Sequence, residues 1–415
     1  MIPTELRHTL TAAKQIYLGQ AVLLAATLGR DQAASLFMPW TRTDPYPVYE
    51  KIRARGQFAS SRLGVQMVTS HRLSGQVLRS RDFSVVDPTG AINPRGTGDE
   101  VDLSLLIIDP PDHTRLRRVV APAFSPRRLA QFETLIASTV ADLLGKLPRG
   151  EPFDLIEHYA AVLPMRVIAE LLGIPEQDRG RFRDWGQAIA RALDGYSSLA
   201  HRRRLLRGQE ELAAMFERLF EQRRHQPTDD AISDLVQAGD TIHPDEMVPL
   251  CTLLLVAGFE TTVNLIGSTV IHLHRAGQWD LLTDDPALAQ AATEETLRFD
   301  PPVQMTARWA LSDVEVSGHR VPFGTVVLPM IGATGRDPEV FTRPGVYDLT
   351  RTQEAETLAF SAGVHYCLGA PLARMEARIG IAELVKAAPT LRPAGPLTYR
   401  ATTTLRGPRT LPVII

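Results

Sequence analysis

Residues 360–376 read Phe-Ser-Ala-Gly-Val-His-Tyr-Cys-Leu-Gly-Ala-Pro-Leu-Ala-Arg-Met-Glu, and no other stretch of the chain is as informative. Gly363 and Gly369 bracket Cys367, and glycine allows a backbone to approach a flat ligand closely. A helical pattern over 370–385 begins directly after the cysteine, and a helix N-terminus stabilises a thiolate through its free N–H groups and its dipole. These surroundings favour a functional thiolate at Cys367 over a small buried hydrophobic residue.

A second unusual stretch lies upstream, where residues 257–262 read Ala-Gly-Phe-Glu-Thr-Thr midway along an apolar helical pattern over 248–275. Glycine inside a helix costs about 1 kcal/mol relative to alanine. An ionised glutamate in an apolar run costs more unless it is partnered or hydrated. Ala257, Gly258 and Thr261 share one helical face, where small side chains would leave room for a diatomic ligand. Alone, the stretch also fits a helix kinked by its threonine pair with a capped glutamate.

Together the two stretches resemble the cytochrome P450 family, whose haem-binding loop has the pattern Phe-x-x-Gly-x-His-x-Cys-x-Gly. The resemblance implies that Cys367 is the proximal haem-iron ligand, that Phe360 shields its sulfur, and that electron donation from the thiolate favours O–O cleavage. It assigns Glu260 and Thr261 as an acid–alcohol pair, in which Thr261 hydrogen-bonds dioxygen and Glu260 supplies protons through water. Cys251, inside an apolar helix, is interpreted as a core residue.

A Glu-x-x-Arg pattern precedes the loop. Glu295 and Arg298 are three residues apart and can pair on one helix. Such pairs are common on solvated faces, but this position matches the family's structural pair behind the haem loop. The family's third partner, an arginine in a Pro-x-Arg-Phe-like segment, is replaced here by Val346, and either Arg343 or Arg351 could take that place.

The two haem carboxylates need cationic or hydrogen-bonding partners in a dry pocket. His113 and Arg117 lie four residues apart in a predicted helix and resemble the family's His-x-x-x-Arg, and Arg308 and His365 complete the expected set. The resemblance thereby implies haem contacts from His113, Arg117, Ala257, Gly258, Arg308, Phe360, Gly363, His365, Cys367 and Gly369.

The substrate side is also predicted by family analogy. The contributing segments would be 87–102, 185–199, 253–261, 302–305 and 402–404. Because the candidate lining residues are mainly apolar, we expect a lipophilic substrate with few polar anchors. These candidates are Leu254, Ala257, Phe259, Val303, Gln304, Met305 and Thr403, of which Gln304 and Thr403 are the polar ones.

Two groups of arginines are candidates for partner surfaces. The first comprises Arg115, Arg118, Arg127 and Arg128, which could form a positive face near Cys367 that steers an acidic ferredoxin, or could be ordinary solvated arginines. The second is the run 201–204 with Arg207, which is interpreted as a solvated helix face.

Composition limits the remaining classes. The chain has 415 residues, a net charge of −2 and 44% hydrophobic residues, which excludes disorder and gives no electrostatic reason for nucleic-acid binding. Two cysteines exclude a disulfide framework and suit a reducing compartment. The apolar run 16–28 is shorter than the roughly 20 residues of a membrane helix. We therefore expect a cytoplasmic, monomeric protein without a membrane anchor, whose residues 1–40 form a helical extension packed on the body.

Helical periodicity dominates the long segments, namely 128–147, 155–172, 205–224, 248–275 and 287–298. Strand patterns are limited to 314–316, a turn at Gly318, Val321 and 325–328, which together resemble a small hairpin sheet. The predicted fold is mainly α with small β-sheets: one domain over 1–415, the triangular helical prism of the cytochrome P450 family.

The implied function is a haem-thiolate monooxygenase that uses haem b and inserts one oxygen atom from O₂ into a lipophilic natural-product intermediate, by hydroxylation or epoxidation. Electrons from NAD(P)H would arrive through a ferredoxin reductase and a ferredoxin. The alternatives are oxidative coupling, peroxide-driven oxidation and, outside enzymes, a haem-binding sensor. The Glu260–Thr261 pair argues against peroxide use and against a sensor.

Overall fold

A computed structural model describes residues 4–90, 102, 104–194, 197–352 and 354–415. Helices dominate it, as the periodicity predicts. The α-helices are α1 Thr4–Leu28, α2 Gln32–Leu36, α3 Tyr46–Arg53, α4 His71–Arg79, α5 Asp112–Val120, α6 Pro126–Gly145, α7 Val162–Leu172, α8 Phe182–Ala192, α9 Leu199–His225, α10 Ala231–Gln237, α11 Pro244–Arg275, α12 Trp279–Asp284, α13 Ala289–Phe299, α14 Ile331–Thr334 and α15 Ala370–Ala387. Shorter helical turns are Ser104–Leu106, Ala121–Phe124, Ile156–Ala160, Glu176–Arg181, Gly239–Thr241, Pro286–Leu288 and Gly363–His365.

The strands are short and form four small sheets in the described part of the chain. They are β1 Ala59–Ser60, β2 Val65–Val68, β3 Phe83–Ser84, β4 Phe153–Asp154, β5 Arg308–Ala310, β6 Val314–Val316, β7 His319–Val321, β8 Val326–Pro329, β9 Arg392–Pro393, β10 Thr398–Tyr399, β11 Pro408–Thr410 and β12 Pro412–Ile414. The largest sheet has the order β1-β2-β8-β5-β3, with β2 and β8 parallel. The others are β4-β12-β9, β10-β11 and β6-β7.

Two predicted elements differ in detail. The segment 155–172 is broken into a π-helical turn over Ile156–Ala160 and then α7, rather than being one helix. The hairpin of β6 and β7 turns at Ser317 and Gly318, both at positive φ, as a two-residue hairpin loop requires. The predicted third strand of that hairpin, β8, pairs instead with β2 and β5 in the largest sheet.

The long helix α11 forms the centre of the fold. It packs against α7, α8, α13 and α15. It is also the one described helix that is long and apolar enough to cross a membrane, but 83% of its most apolar window is buried inside the protein, which is typical of a core helix. Cys251 lies in this helix and is buried, as predicted. Burial, with a smaller contribution from the Asp230 charge, raises the pKa of its thiol.

The N-terminal segment is helical, as predicted for 1–40, but it is not simply packed on the body. α1 contacts α2 and α9, and Gln20 Nε2 donates to the carbonyl of Ser197 at 2.9 Å. Several large apolar side chains nevertheless remain exposed on α1: Tyr17, Leu18, Val22, Leu24 and Leu28.

A buried polar cluster joins distant parts of the chain at Asp300, just after α13. Its carboxylate accepts from Tyr46 at 2.6 Å and from Arg406 Nε at 2.8 Å, and it lies 2.8 Å from His272 Nε2. Burial by itself would raise the pKa of Asp300, but the Arg406 charge and the His272 hydrogen bond outweigh it and hold the pKa well below its ordinary range. The carboxylate therefore stays charged, and it ties α3, α11 and the C-terminal segment together.

We expect Asp300→Asn to lower the free energy of unfolding by about 3–5 kcal/mol, because it leaves the buried Arg406 guanidinium without its counter-charge. Urea denaturation measures the loss, and Glu383→Gln, in an exposed pair with Lys386, is the control that should leave stability unchanged. The folded-state pKa of Asp300 is depressed, so its contribution is complete above the unfolded pKa of about 4 and declines below it. A difference between the two proteins that grows on acidification below pH 4 would contradict this assignment.

Candidate functional site

Cys367 lies between the turn Gly363–His365 and the N-terminus of α15. Its backbone N–H donates to the carbonyl of Phe360 at 2.9 Å. Protein groups lie closely around the side chain, yet Cys367 is exposed, so it is not packed in the core. Burial raises the pKa of the Cys367 thiol, whereas the N–H groups of Gly369 and Ala370 and the charges of Arg117 and Arg374 act in the opposite direction.

The two glycines of the loop serve different purposes. Gly363 has φ +70°, and a side chain there would bring a Cβ within 2.5 Å of the carbonyl oxygen of Leu78. Glycine is therefore required at 363 because the loop backbone crosses the end of α4 closely. Gly369 has an ordinary φ, and a Cβ there would make a normal contact with Phe124. The predicted close approach to a ligand is thus not what requires glycine at 363, where the close neighbour is protein backbone.

The side chain of Phe360 is held from one side by a cation. The guanidinium of Arg374 lies 4.4 Å from the centre of the Phe360 ring, and Arg374 Nε donates to Glu294 at 2.7 Å. Arg374 therefore connects the loop, α15 and α13, and it fixes the aromatic ring beside the cysteine.

A polar chain runs from α5 to the cysteine loop. His365 Nε2 lies 3.2 Å from Asp109 Oδ1, and Asp109 also accepts from the Ser84 hydroxyl. These two hydrogen bonds outweigh the effect of burial and lower the pKa of Asp109. The rings of His113 and His365 lie 4.4 Å apart. Burial, together with the neighbouring His365 charge, lowers the pKa of His113 to about 4, so its ring is neutral near pH 7.

Two of the predicted cationic anchors have different surroundings. Arg117 donates to the carbonyls of Val364 at 3.3 Å and Tyr366 at 2.7 Å, so it holds the cysteine loop itself. Arg308 is buried and donates to Thr306 and to the carbonyl of Ala307, with no carboxylate within 4 Å among the described residues. Burial lowers its pKa to about 10. The site thus contains a buried cation without a carboxylate in contact among the described residues, and the more distant Asp109 charge opposes the effect of burial only in part.

On α11, the structure brings the predicted small residues together. Every residue from 250 to 273 is buried except Ala257, Gly258 and Thr261, which open a narrow window on this otherwise enclosed helix. Thr261 Oγ1 donates to the carbonyl of Ala257 at 2.7 Å, so the hydroxyl proton points back to the helix and its lone pairs face the window.

Gly258 has a packing role that differs in part from the predicted one. A Cβ at this position would lie 2.8 Å from Ile168 Cδ1 on α7. The missing side chain therefore allows α7 and α11 to pack closely, and it does not by itself make room for a small ligand. The room comes from Ala257 and Thr261.

Glu260 is buried and forms an ion pair that the sequence did not predict. Its Oε1 lies 2.6 Å from Arg400 Nη1, and Arg400 Nε donates at 2.9 Å to Asn264, one turn further along α11. A cavity of about 50 Å³ adjoins this pair and includes Gln187, Arg191, Tyr399, Thr402 and Arg409 in its wall. It has room for a few water molecules.

The Glu295–Arg298 pair is present and buried, with two hydrogen bonds of 2.6 and 2.7 Å. The third partner is Arg351, whose Nε lies 3.3 Å from the Glu295 carboxylate and whose side chain is only 7% exposed. Arg343, the other candidate, pairs with Asp348 at the surface instead.

Two side chains predicted to line the substrate pocket, Gln304 and Met305, make contacts within the fold. The Gln304 side chain accepts from Tyr49 and donates to the carbonyl of Pro301, and it is almost fully buried. Met305 packs in a separate apolar cluster with Tyr49 and Met330. In the described structure both side chains are buried and make contacts within the fold.

Thr403 donates to the carbonyl of Leu36, and its N–H donates to Asp194. Phe259 is buried against Gly186 of α8. Leu254 is buried and Val303 is half-buried, whereas Ala257 is exposed at the window described above. Of the predicted loop 87–102, residues 91–101 lie outside the described residues, as do 195 and 196 of the segment 185–199.

The predicted basic face is reduced to two members. Arg115 pairs with Glu246 at 2.7 Å and with Asp112, and Arg128 pairs with Asp229 at 2.7 Å. Arg118 and Arg127 remain exposed and without a carboxylate partner in the part of the chain that the structure describes.

Comparison with known proteins identifies the family. The family model described as Cytochrome P450 matches residues 268–387. The putative cytochrome P450 140 of Mycobacterium tuberculosis is 37% identical over 403 residues, covering 92% of each chain. The chain belongs to the cytochrome P450 family. The vitamin D(3) 25-hydroxylase of Pseudonocardia autotrophica is 39% identical over 318 residues, covering 74% of this chain and 77% of the relative.

A crystal structure of ligand-free CYP164A2 of Mycobacterium smegmatis has the same fold, with a TM-score of 0.84, 36% identity, and coverage of 92% of this chain and 99% of that one. Membership of this family identifies the present chain as a cytochrome P450 monooxygenase, and the family implies a haem iron cofactor.

The residues present fit that cofactor. The sulfur of Cys367 is accessible inside the protein, and the buried Arg308 charge and the neutral His113 ring suit the two haem carboxylates as a cation and a hydrogen-bonding partner. Arg117 fits less well, because its terminal nitrogens already hold the loop carbonyls.

Sequence patterns missed three partners at this site: Asp109 for His365, Arg374 for Phe360 and Arg400 for Glu260. Asp109 lies four residues before His113, and Arg374 lies within the stretch 360–376, but no local pattern indicates the partner of either residue. Arg400 is 140 residues from Glu260, and no local pattern indicates it.

We expect Arg351→Met to lower the free energy of unfolding by about 1–3 kcal/mol, because Glu295 loses a buried charged donor. Urea denaturation checks this. The matched control is Arg343→Met, which removes the exposed pair with Asp348 and should leave stability unchanged. Equal losses in the two variants would remove Arg351 from its assigned place as third partner.

Proposed function

We propose that this chain, as one domain, is a haem-thiolate monooxygenase that inserts one oxygen atom from O₂ into a lipophilic small molecule, with Cys367 as the thiolate ligand. The observation that carries the proposal is the accessible sulfur of Cys367, placed at the N-terminus of α15 with the N–H groups of Gly369 and Ala370 directed to it. When bound, the haem supplies oxygen activation and substrate oxidation.

The part of this chain around the sulfur keeps it a good ligand. Burial raises the pKa of the Cys367 thiol, and the N–H groups at the helix N-terminus together with the charges of Arg117 and Arg374 act against this rise. The ring of Phe360, held by Arg374, excludes water from one side of the loop. In this proposal Arg308, His113 and His365 bind the haem carboxylates, and Arg117 stabilises the loop.

Thr261 and Glu260 are proposed to manage proton delivery at the α11 window. Because the Thr261 proton is donated to Ala257, the lone pairs of Oγ1 are placed to accept a hydrogen bond from water in the window. The Glu260 carboxylate adjoins the small cavity and can take up protons from water there. Its ion pair with Arg400 must loosen, or be bridged by water, before the carboxylate can pass a proton towards Thr261.

The substrate is proposed to be lipophilic because Leu254, Val303 and Ala257 remain as apolar candidates once the polar ones are assigned to the fold. A relative named as a vitamin D(3) hydroxylase supports this class. A natural-product role in the cytoplasm, carried out by a monomer, belongs to the same proposal.

Electrons are proposed to come from NAD(P)H through a ferredoxin reductase and a ferredoxin. The exposed and unneutralised Arg118 and Arg127 on α5 and α6 suit an acidic carrier. Turnover with O₂, NAD(P)H and surrogate redox proteins tests the proposal, and product formed with peroxide alone would favour the peroxide-driven alternative.

Cys367→His should abolish the thiolate signature of the ferrous–CO spectrum, because imidazole replaces the sulfur ligand. The matched control is Cys251→Ala, which removes the other cysteine from the core and should retain the signature. A thiolate signature that persists in Cys367→His would exclude Cys367 as the ligand.

Thr261→Ala should lower product formed per NAD(P)H by about tenfold and release the missing electrons as peroxide, because proton transfer at the window loses its positioned acceptor. Product and peroxide are measured together under O₂. Thr262→Val, on the buried side of α11, is the control and should keep the wild-type ratio. Unchanged coupling in Thr261→Ala would remove this hydroxyl from the proton path.

A further inference from the structure

A second cavity, separate from the Cys367 region, lies between α8 and α9. It has a volume of about 430 Å³, within the range of pockets that hold small molecules. Residues spaced three and four apart on both helices turn their side chains into it. The lining consists of Arg181, Asp184, Trp185, Gln187, Ala188 and Arg191 from α8 and the turn before it, and His201, Arg204, Arg207 and Gly208 from α9.

The charge of this cavity is unbalanced. Among the described residues four arginines line it, of which Arg181 pairs with Glu211 at 2.6 Å, and the Glu211 charge also acts on Arg207 at longer range. Arg191, Arg204 and Arg207 have no carboxylate within 4 Å in the described ranges. Asp184 is the one acidic residue among the described residues of the lining. With Glu211 and Asp184 counted against the four arginines, two positive charges remain uncompensated.

Several contacts hold the cavity wall in place around these arginines. The Trp185 ring is buried, its indole N–H donates to Glu211 at 2.8 Å, and Gly208 lets α9 approach the ring closely. His201 is buried and its Nε2 lies 3.1 Å from the carbonyl of Ala188, which joins the two helices. Arg204 and Arg207 are exposed, as the predicted solvated helix face requires, and they line this cavity at its open side.

We propose that this cavity binds the phosphate group of a phosphorylated small molecule, with Arg191, Arg204 and Arg207 as its cationic partners. Guanidinium groups match phosphate geometry through paired hydrogen bonds. A phosphate monoester carries close to two negative charges near pH 7, which matches the two uncompensated charges, whereas a carboxylate would leave one. The cavity is larger than inorganic phosphate needs, so the remainder of the ligand would lie along the Trp185 wall.

The test uses the haem-loaded full chain, with inorganic phosphate, phenyl phosphate and benzoate as probes in calorimetric titrations. We expect saturable binding of one phenyl phosphate per chain, tighter than inorganic phosphate and about tenfold tighter than benzoate. The result is independent of the proposed oxidation, because it requires no turnover. Absence of saturable phosphate binding, or equal affinity for phenyl phosphate and benzoate, overturns the proposal.

Variants separate this site from general attraction to a basic surface. Arg204→Gln and Arg207→Gln should each weaken phenyl phosphate binding by about tenfold. Arg203→Gln, on the same helix but outside the lining, should stay within about twofold of the wild-type affinity. Equal weakening by all three variants indicates non-specific charge attraction and contradicts the proposal.

Asp184→Asn tests whether damage to the fold could explain the weaker binding of the arginine variants. Removal of this acidic lining residue should tighten phenyl phosphate binding by about twofold to fivefold, a gain that local disorder does not produce. Phosphate should also raise the midpoint of thermal unfolding with concentration in wild type and less in Arg204→Gln. Unchanged or weaker binding in Asp184→Asn counts against a phosphate in this cavity.

Discussion

The guanidinium of Arg298 is the constraint on which the cysteine loop depends. All five of its N–H donors have acceptors: two hydrogen bonds reach the Glu295 carboxylate, and the others reach the carbonyls of Gly335, Pro344 and Val346. A buried arginine with this many fixed acceptors has one stable position. It therefore fixes the chain over 335–346, which leads on to the loop, relative to α13.

The neighbouring glutamate completes this attachment from another side. Glu295 holds Arg298 and Arg351, while Glu294 binds Arg374 on α15, whose guanidinium covers the Phe360 ring. Two consecutive carboxylates on one helix thus stabilise both sides of the loop. The accessible cysteine does not need to be held by its own packing, because the structure around it is held by ion pairs that are buried or half-buried. This arrangement leaves the sulfur open to a ligand.

The parts predictable from sequence are those that depend on local spacing. The long helices, the Glu295–Arg298 pair and the stretch around Cys367 are all encoded within a few turns of chain. The partners supplied by distant segments could not be read in this way. Arg400 joins Glu260 across 140 residues, and the close contact that explains Gly258 comes from Ile168. A glycine in the sequence shows that a side chain is absent, but only the folded structure shows which residue occupies the space beside it.

The partners of a buried charged residue distinguish the residues that stabilise the fold from those that are available to a ligand. The Asp300 carboxylate contacts Tyr46, His272 and Arg406, so its charge stabilises the fold. Arg308 is equally buried but contacts only neutral oxygens of its own neighbours. A guanidinium in the interior without a carboxylate in contact is costly, because its charge has lost the hydration that water would provide. In the proposed function, an anion from outside the chain offsets that cost, and the haem carboxylates have the required charge.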